Sequence, residues 1–142
     1  SLEIATPPDD PGGVEQLADL ADPDVTVAVC APDVPCGQVA TEVLADAGLD
    51  VQPVTEEVDV KSVLTKVTLG EVDAGVVYVT DVQAAGDKVK GIEIPADQNA
   101  STTYPIATLS GSKSAETAAD FVDLVTSEQG LAVLEKAGFG KP

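Results

Sequence analysis

The chain has 142 residues, 44% of them hydrophobic, which is enough for one domain with a real core and too short for two full-sized ones. Twenty-five acidic residues against seven basic ones give a formal charge of −18, which repels polyphosphate backbones and excludes the basic patches that nucleic acid requires. Histidine is absent, which removes the commonest general base and metal ligand, so zinc, haem and Ser-His-Asp chemistry lose most of their support.

Val, Ala and Leu dominate the apolar residues, with two Phe, two Tyr and no Trp or Met, so an aliphatic core is expected. No block of five or six like charges occurs, and the acids read mainly as a solvated surface. No stretch approaches the roughly eighteen apolar residues of a membrane span, and Ser1-Leu2-Glu3 carries no signal-peptide pattern. A soluble chain is expected, any export signal having been removed or lying outside this sequence.

Residues 2–6 place apolar side chains two apart and then meet Pro7-Pro8-Asp9-Asp10-Pro11-Gly12-Gly13, so they read as a short strand or connector followed by a turn. A short helix over 14–21 comes next. The Val-rich run 25–30, bounded by Pro23 and Pro32, reads as a buried parallel strand. Val39, Ala40, Val43, Leu44 and Ala47 share one face of a helix over 38–47, closed by Gly48. A short apolar strand at 51–54 precedes a helix over 58–69, whose Val60, Val63, Leu64 and Val67 share a face, and a strand over 74–79.

A turn-rich stretch with Gly86 and Gly91 leads to strands 89–94 and 104–109, separated by the polar segment 95–103. Two helices finish the chain. The first, 114–125, turns Ala118, Phe121, Val122 and Val125 inward; the second, 128–137, turns Leu131, Leu134 and Ala137 inward, with Ser127 as its N-cap. Asn99-Ala100-Ser101 matches the glycosylation triplet, a match too short to carry weight.

Strands alternating with helices indicate an α/β sheet whose ligands collect at loops beyond the strand C-termini, here after Cys30 and after Val79. Between Cys30 and Gln38 a strand ends, Pro32 and Pro35 stiffen the loop, and a helix begins near Cys36. Free N–H groups at a helix start hold an oxyanion without any cationic side chain, and a second such end lies near Asp59 and Val60. Either end taken alone also fits an ordinary α/β loop.

Cys30 and Cys36 are spaced like neither a zinc pair nor a Cys-x-x-Cys redox motif. Their five intervening residues let a loop fold back into a disulfide in an oxidising compartment; two unbonded residues are the alternative.

Val34-Pro35-Cys36-Gly37, then Asp59-Val60, then Gly70-Glu71-Val72-Asp73-Ala74-Gly75-Val76-Val77-Tyr78-Val79-Thr80-Asp81 resemble the periplasmic molybdate-binding protein family in order and spacing. The last stretch is the most specific. Tyr104-Pro105-Ile106-Ala107 resembles the family's Tyr-Pro strand, and residues 110–142, with Gly138-Phe139, resemble its closing helices, so the resemblance covers nearly the whole chain.

This resemblance implies a periplasmic binding protein-like α/β lobe with a mixed, mostly parallel sheet flanked by helices. It implies an extracytoplasmic receptor, periplasmic or anchored on the outer face of the cell membrane, that captures molybdate or tungstate for an ABC transporter and its membrane permease. No cofactor, metal cation, nucleic acid or enzymatic activity is expected, and the intact receptor is expected to be a monomer. In the family the anion is held by hydrogen bonds alone. Carried over, the contacts become the backbone N–H groups of Cys36 and Val60 and the hydroxyl of Tyr78, with Pro35, Gly37, Asp59 and Asp81 as the supporting loops. Cys36 stands where the family usually has a small apolar residue, and a backbone contact tolerates that change.

Family members also bring donors from an N-terminal lobe I, and nothing before Leu2 supplies them, so a truncated receptor that binds weakly unaided is expected. Residues 1–11 read as a hinge strand and connector, 12–105 as lobe II, and 106–142 as a strand and helices returning toward lobe I; 2–6 and 104–109 would be the hinge crossings. Rival readings are a sulfate, phosphate or iron receptor of the same architecture, and the effector-binding domain of a transcription regulator, which needs an upstream helix-turn-helix. An enzyme using Asp33, Asp59 or Asp81 ranks last, since these carboxylates equally suit helix caps.

Overall fold

The structure is a computed structural model that describes residues 1–141; Pro142, the end of the segment read as closing helices, lies outside the described residues. The chain divides into two units, Ser1–Thr102 and Thr103–Pro142.

In the first unit, alternation along short strands sends apolar side chains to both faces of one sheet. The strands are β1 (Leu2–Thr6), β2 (Val27–Cys30), β3 (Thr55–Glu57), β4 (Ala74–Tyr78) and β5 (Lys90–Glu93), in the order β3-β2-β4-β1-β5. β2 pairs parallel with β3 and β4, while β1 pairs antiparallel with β4 and β5, so β1 alone runs against the other strands. The mixed, mostly parallel sheet expected from sequence is present.

Leu2, Ile4, Val27, Val29, Ala74 and Val76 point to one face, where helix α1 (Pro35–Asp46) adds Ala40 and Val43 and a 3-10 helix (Leu17–Ala21) adds Leu17 and Leu20. Ala5, Ala28, Cys30 and Val77 point to the other, where α2 (Val60–Thr68) adds Val63 and Val67 and α3 (Val79–Ala85) adds Val82 and Ala85. Gly75 permits the close seating of α2, because a Cβ there would lie 2.8 Å from both Val63 Cγ1 and Val67 Cγ2.

At the opposite end of the strands from the helix starts, Asp73 locks β4 to β2. Its carboxylate accepts from the Thr26 N–H at 2.8 Å and from the Thr26 hydroxyl, while its own N–H donates to Thr26 Oγ1 at 3.0 Å. Asp73→Ala leaves these half-buried donors without their acceptor and is expected to lower unfolding free energy by about 2 kcal/mol. Urea unfolding checks this, and an unchanged midpoint would show that the lock is idle.

Three expectations about strands and turns change. The strand read at 51–54 forms instead at Thr55–Glu57, because β3 is an edge strand joined to β2 through its backbone and needs no apolar run; Val54 only donates its N–H to Val27 O at 2.9 Å. The segment read as turn-rich begins with α3, whose Val82 and Ala85, three apart, pack on the second apolar cluster. The strand read at 104–109 is absent: Tyr104 and Leu109 are 73% and 79% exposed, and Pro105 has no N–H to give a ladder.

The second unit contains α4 (Ala115–Thr126) and α5 (Glu128–Lys136). Ser127 caps α5, its hydroxyl oxygen accepting from the Gly130 N–H at 3.2 Å, as its sequence position suggests. Ala118, Val122, Val125, Leu131 and Leu134 are half-buried, but Phe121 and Ala137, both read as inward, are exposed. None of the described residues of this unit is buried. Tyr104 and Phe139 meet edge to face with ring centroids 6.1 Å apart.

Candidate functional site

Three neighbouring strands that point the same way deliver three helix starts to one edge of the sheet. β2 leads to α1 through an N-cap at Val34, β3 to α2 through Asp59, and β4 directly to α3 through Tyr78. Cys30 is level with Glu57, and Ala28 with Gly75, so continuing the register sets Tyr78 one residue beyond Cys30. Adjacent strands lie about 4.8 Å apart, which keeps these junctions close together. The winding also reverses here, since β2 feeds a helix on one face and its neighbour β4 feeds a helix on the other. Such a switch point opens a crevice above the carboxyl ends of the strands.

The backbone supplies donors at this edge. Pro35 takes the first position of α1 and has no N–H, so Cys36 and Gly37 present the first amides of that helix, ahead of Gln38, whose N–H donates to Val34 O at 3.0 Å. In α2 the Asp59 carboxylate accepts from the Ser62 N–H at 2.8 Å, which holds its pKa below the usual carboxylate range, and the first-turn amide of Val60 precedes that bond. Tyr78 is half-buried and packs against both apolar clusters, and its N–H donates to Asp81 Oδ2 at 3.1 Å.

Cys30 and Cys36 are joined by a disulfide with Cα atoms 5.7 Å apart, and both are buried in the second cluster. The bond closes a ring over residues 31–35. Gly37 is required beside it, because a Cβ there would run into the Ala31 carbonyl and come within 2.8 Å of Cys30 O.

Asp59 and Asp81 thus serve helix starts, and Asp33 is exposed on the β2–α1 loop. Burial pushes the Asp81 carboxyl above its usual range, against the opposing pull of the Tyr78 N–H and the Lys61 ammonium. A raised folded-state pKa adds stability that is complete below the unfolded value and is lost as pH rises through the folded one. Asp81→Asn, which keeps an acceptor for Tyr78 but never ionises, is therefore expected to flatten stability against pH in the mildly acidic range. Chemical denaturation at several pH values tests this, and an unaltered slope would overturn it.

Topology brings Cys36, Val60 and Tyr78, with Pro35, Gly37, Asp59 and Asp81, to the same edge. Two hollows in the surface do not have Cys36, Val60 or Tyr78 in their lining. One, of about 470 Å³, borders Ser1, Leu2, Glu3, Glu93 and Asn99; the other, of about 250 Å³, lies between α1 and the β3 side, against Cys30, Leu44 and Glu56. Among the described residues, no group of three or more His, Cys, Asp or Glu could hold a metal ion.

Sequence reading missed Asn99. Its side chain accepts from the Leu2 N–H at 3.1 Å and donates to Leu2 O at 2.8 Å, tying the chain after β5 to β1 at the same edge. Its signal in the sequence is a polar residue following an apolar strand, which coincides with the glycosylation triplet Asn99-Ala100-Ser101.

Comparison with known proteins adds the family. Residues 1–140 match the family described as bacterial extracellular solute-binding protein. The molybdate-binding protein ModA of Mycobacterium tuberculosis is 35% identical over 142 residues, covering 100% of this chain and 54% of that protein. A structure described as the substrate binding domain of a putative molybdenum ABC transporter from Clostridium difficile superposes with a TM-score of 0.81 at 30% identity, over 99% of this chain and 63% of that one. The periplasmic molybdate-binding protein of Azotobacter vinelandii, at 19% identity and a TM-score of 0.71 over 99% of this chain and 64% of that one, shares the fold. The chain spans about half the length of the curated relatives it matches. With the family matched along nearly its whole length, this chain belongs to the bacterial extracellular solute-binding proteins, a family of extracytoplasmic binding proteins rather than a class of enzymes.

Proposed function

We propose that this chain forms lobe II, with a C-terminal segment returning toward lobe I, of an extracytoplasmic receptor that captures molybdate, and tungstate with it, for an ABC importer. The Cys36 and Val60 N–H groups and the Tyr78 hydroxyl are its contacts to the anion. The observation that carries the reading is 35% identity along the entire chain to a molybdate-binding protein. The edge where three strand-to-helix junctions meet supports it.

Neutral donors explain the choice of ion. An array that only donates fits a tetrahedral oxyanion bare of protons, as molybdate and tungstate are at neutral pH; phosphate carries a proton that finds no acceptor. Sulfate is bare but smaller, so fixed donors reach it less well. The charge of −18 does not oppose capture, because charges beyond the Debye length of about 8 Å are largely screened in physiological salt.

The remaining donors come from a further lobe, with residues 1–11 as hinge strand and connector, 12–105 as lobe II and 106–142 returning toward lobe I. Relatives nearly twice as long, and a second unit with no buried residue among those described, support that arrangement. The receptor acts as a monomer, in the periplasm or anchored on the outer face of the cell membrane, and hands its anion to a membrane permease; it carries no cofactor and catalyses nothing.

Calorimetry of the protein at its full natural length is expected to show tight binding of molybdate and tungstate, at least about tenfold weaker binding of sulfate, and no heat with phosphate. A preference for sulfate or phosphate would overturn the assignment.

A further inference from the structure

We infer that the Cys30–Cys36 disulfide is a positioning device for the anion site, a covalent clamp that holds the first turn of α1 in its binding shape. The inference rests on the oxyanion reading above and adds to it a covalent bond of this chain.

The bond lies where all three expected contacts are supported. Cys36 supplies one contact amide and one sulfur of the bridge, while Val60 and Tyr78 pack against the same buried cluster that encloses both sulfurs. α1 rests its Ala40 and Val43 on the opposite face of the sheet, so on this side it joins the second cluster at its start, through Cys36 and the neighbouring Val34. The bridge makes that connection covalent. It fastens the start of α1 to the last residue of β2, while Gly37 lets the turn settle against the Ala31 and Cys30 carbonyls.

In and beside the ring, Ala31 N–H donates to Glu57 O at 2.8 Å, Val34 N–H to Ala31 O at 3.1 Å and Gln38 N–H to Val34 O at 3.0 Å, while Pro32 and Pro35 contribute no donors. Donors fixed before the anion arrives lose less freedom on binding than donors that must be ordered by it. The clamp therefore acts on affinity, beyond whatever it adds to stability.

The test compares the full-length protein with Cys30→Ala/Cys36→Ala, titrating molybdate by calorimetry and following amide exchange at Val34 and Gln38 by NMR. A second arm treats the unaltered protein with dithiothreitol, which closes to its own cyclic disulfide as the Cys30–Cys36 bond takes up two electrons and two protons to give two thiols; this arm guards against a variant that fails to fold. The expected result is about tenfold weaker molybdate binding, with faster exchange at Val34 and Gln38 and unchanged exchange at Val67 in α2. Affinity within twofold of the unaltered protein, or unchanged exchange at both loop amides, would sink the clamp. Should the unaltered protein bind no molybdate, the receptor assignment fails separately, and exchange alone then decides: faster exchange on opening the bridge upholds the clamp, unchanged exchange removes it.

Discussion

Gly37→Ala is expected to destabilise the first unit by about 3 kcal/mol, although an ordinary exposed helix glycine gains up to about 1 kcal/mol from the same change. The opposite sign is the diagnostic feature. The added Cβ would collide with the carbonyl of Ala31 and lie 2.8 Å from Cys30 O. Both are backbone atoms and neither is free to retreat, because Ala31 N–H donates to Glu57 O at 2.8 Å and Ala31 O accepts from Val34 N–H at 3.1 Å. Relief requires lifting α1 off the end of β2, which also displaces the Cys36 amide. Urea unfolding measures the first consequence and molybdate titration the second. A variant as stable as the parent would mean that the close approach is not real.

Tyr78→Phe is expected to weaken molybdate binding roughly ten- to hundredfold, since a hydrogen bond to a charged group contributes about 1.5 to 3 kcal/mol. The ring is half-buried between two apolar clusters and phenylalanine preserves its shape, so thermal stability should move far less than affinity. Calorimetry together with a melting curve separates the two. Undiminished affinity would strike the hydroxyl from the contacts and leave the Cys36 and Val60 amides to be tested by themselves.

How much of this was legible in the chain depended on where the information resides. Val27, Val29 and their neighbours betray β2 because a strand buried on both faces must be apolar throughout, and the 3.6-residue spacing of Val60, Val63 and Val67 betrays α2. Polar β3 eluded that logic, since an edge strand gains its place from backbone pairing that leaves no apolar mark. Conversely, Tyr104, Ile106 and Leu109 imitate a strand without becoming one, because apolar residues invite a partner but do not supply it. The short helix α3 hid behind β-branched Val79 and Thr80, poor helix formers whose placement follows from the packing of Val82 and Ala85.

For the candidate site, local sequence determined the parts: a proline that removes one donor, a glycine that admits a close approach, an aspartate that caps a helix. Their assembly on one edge was a tertiary decision, made by the parallel pairing of β2 with β3 and β4 and by the reversal of winding that sends α1 and α2 to opposite faces. The same holds for the two cysteines. Five intervening residues allowed a bridge without requiring one, and it closes because the end of β2 and the start of α1 are held with their Cα atoms 5.7 Å apart. Propensity and periodicity act over a few residues, whereas pairing register and packing join segments far apart in the chain, which is why most elements and the strand-end loops could be read while the register that sets those loops side by side could not.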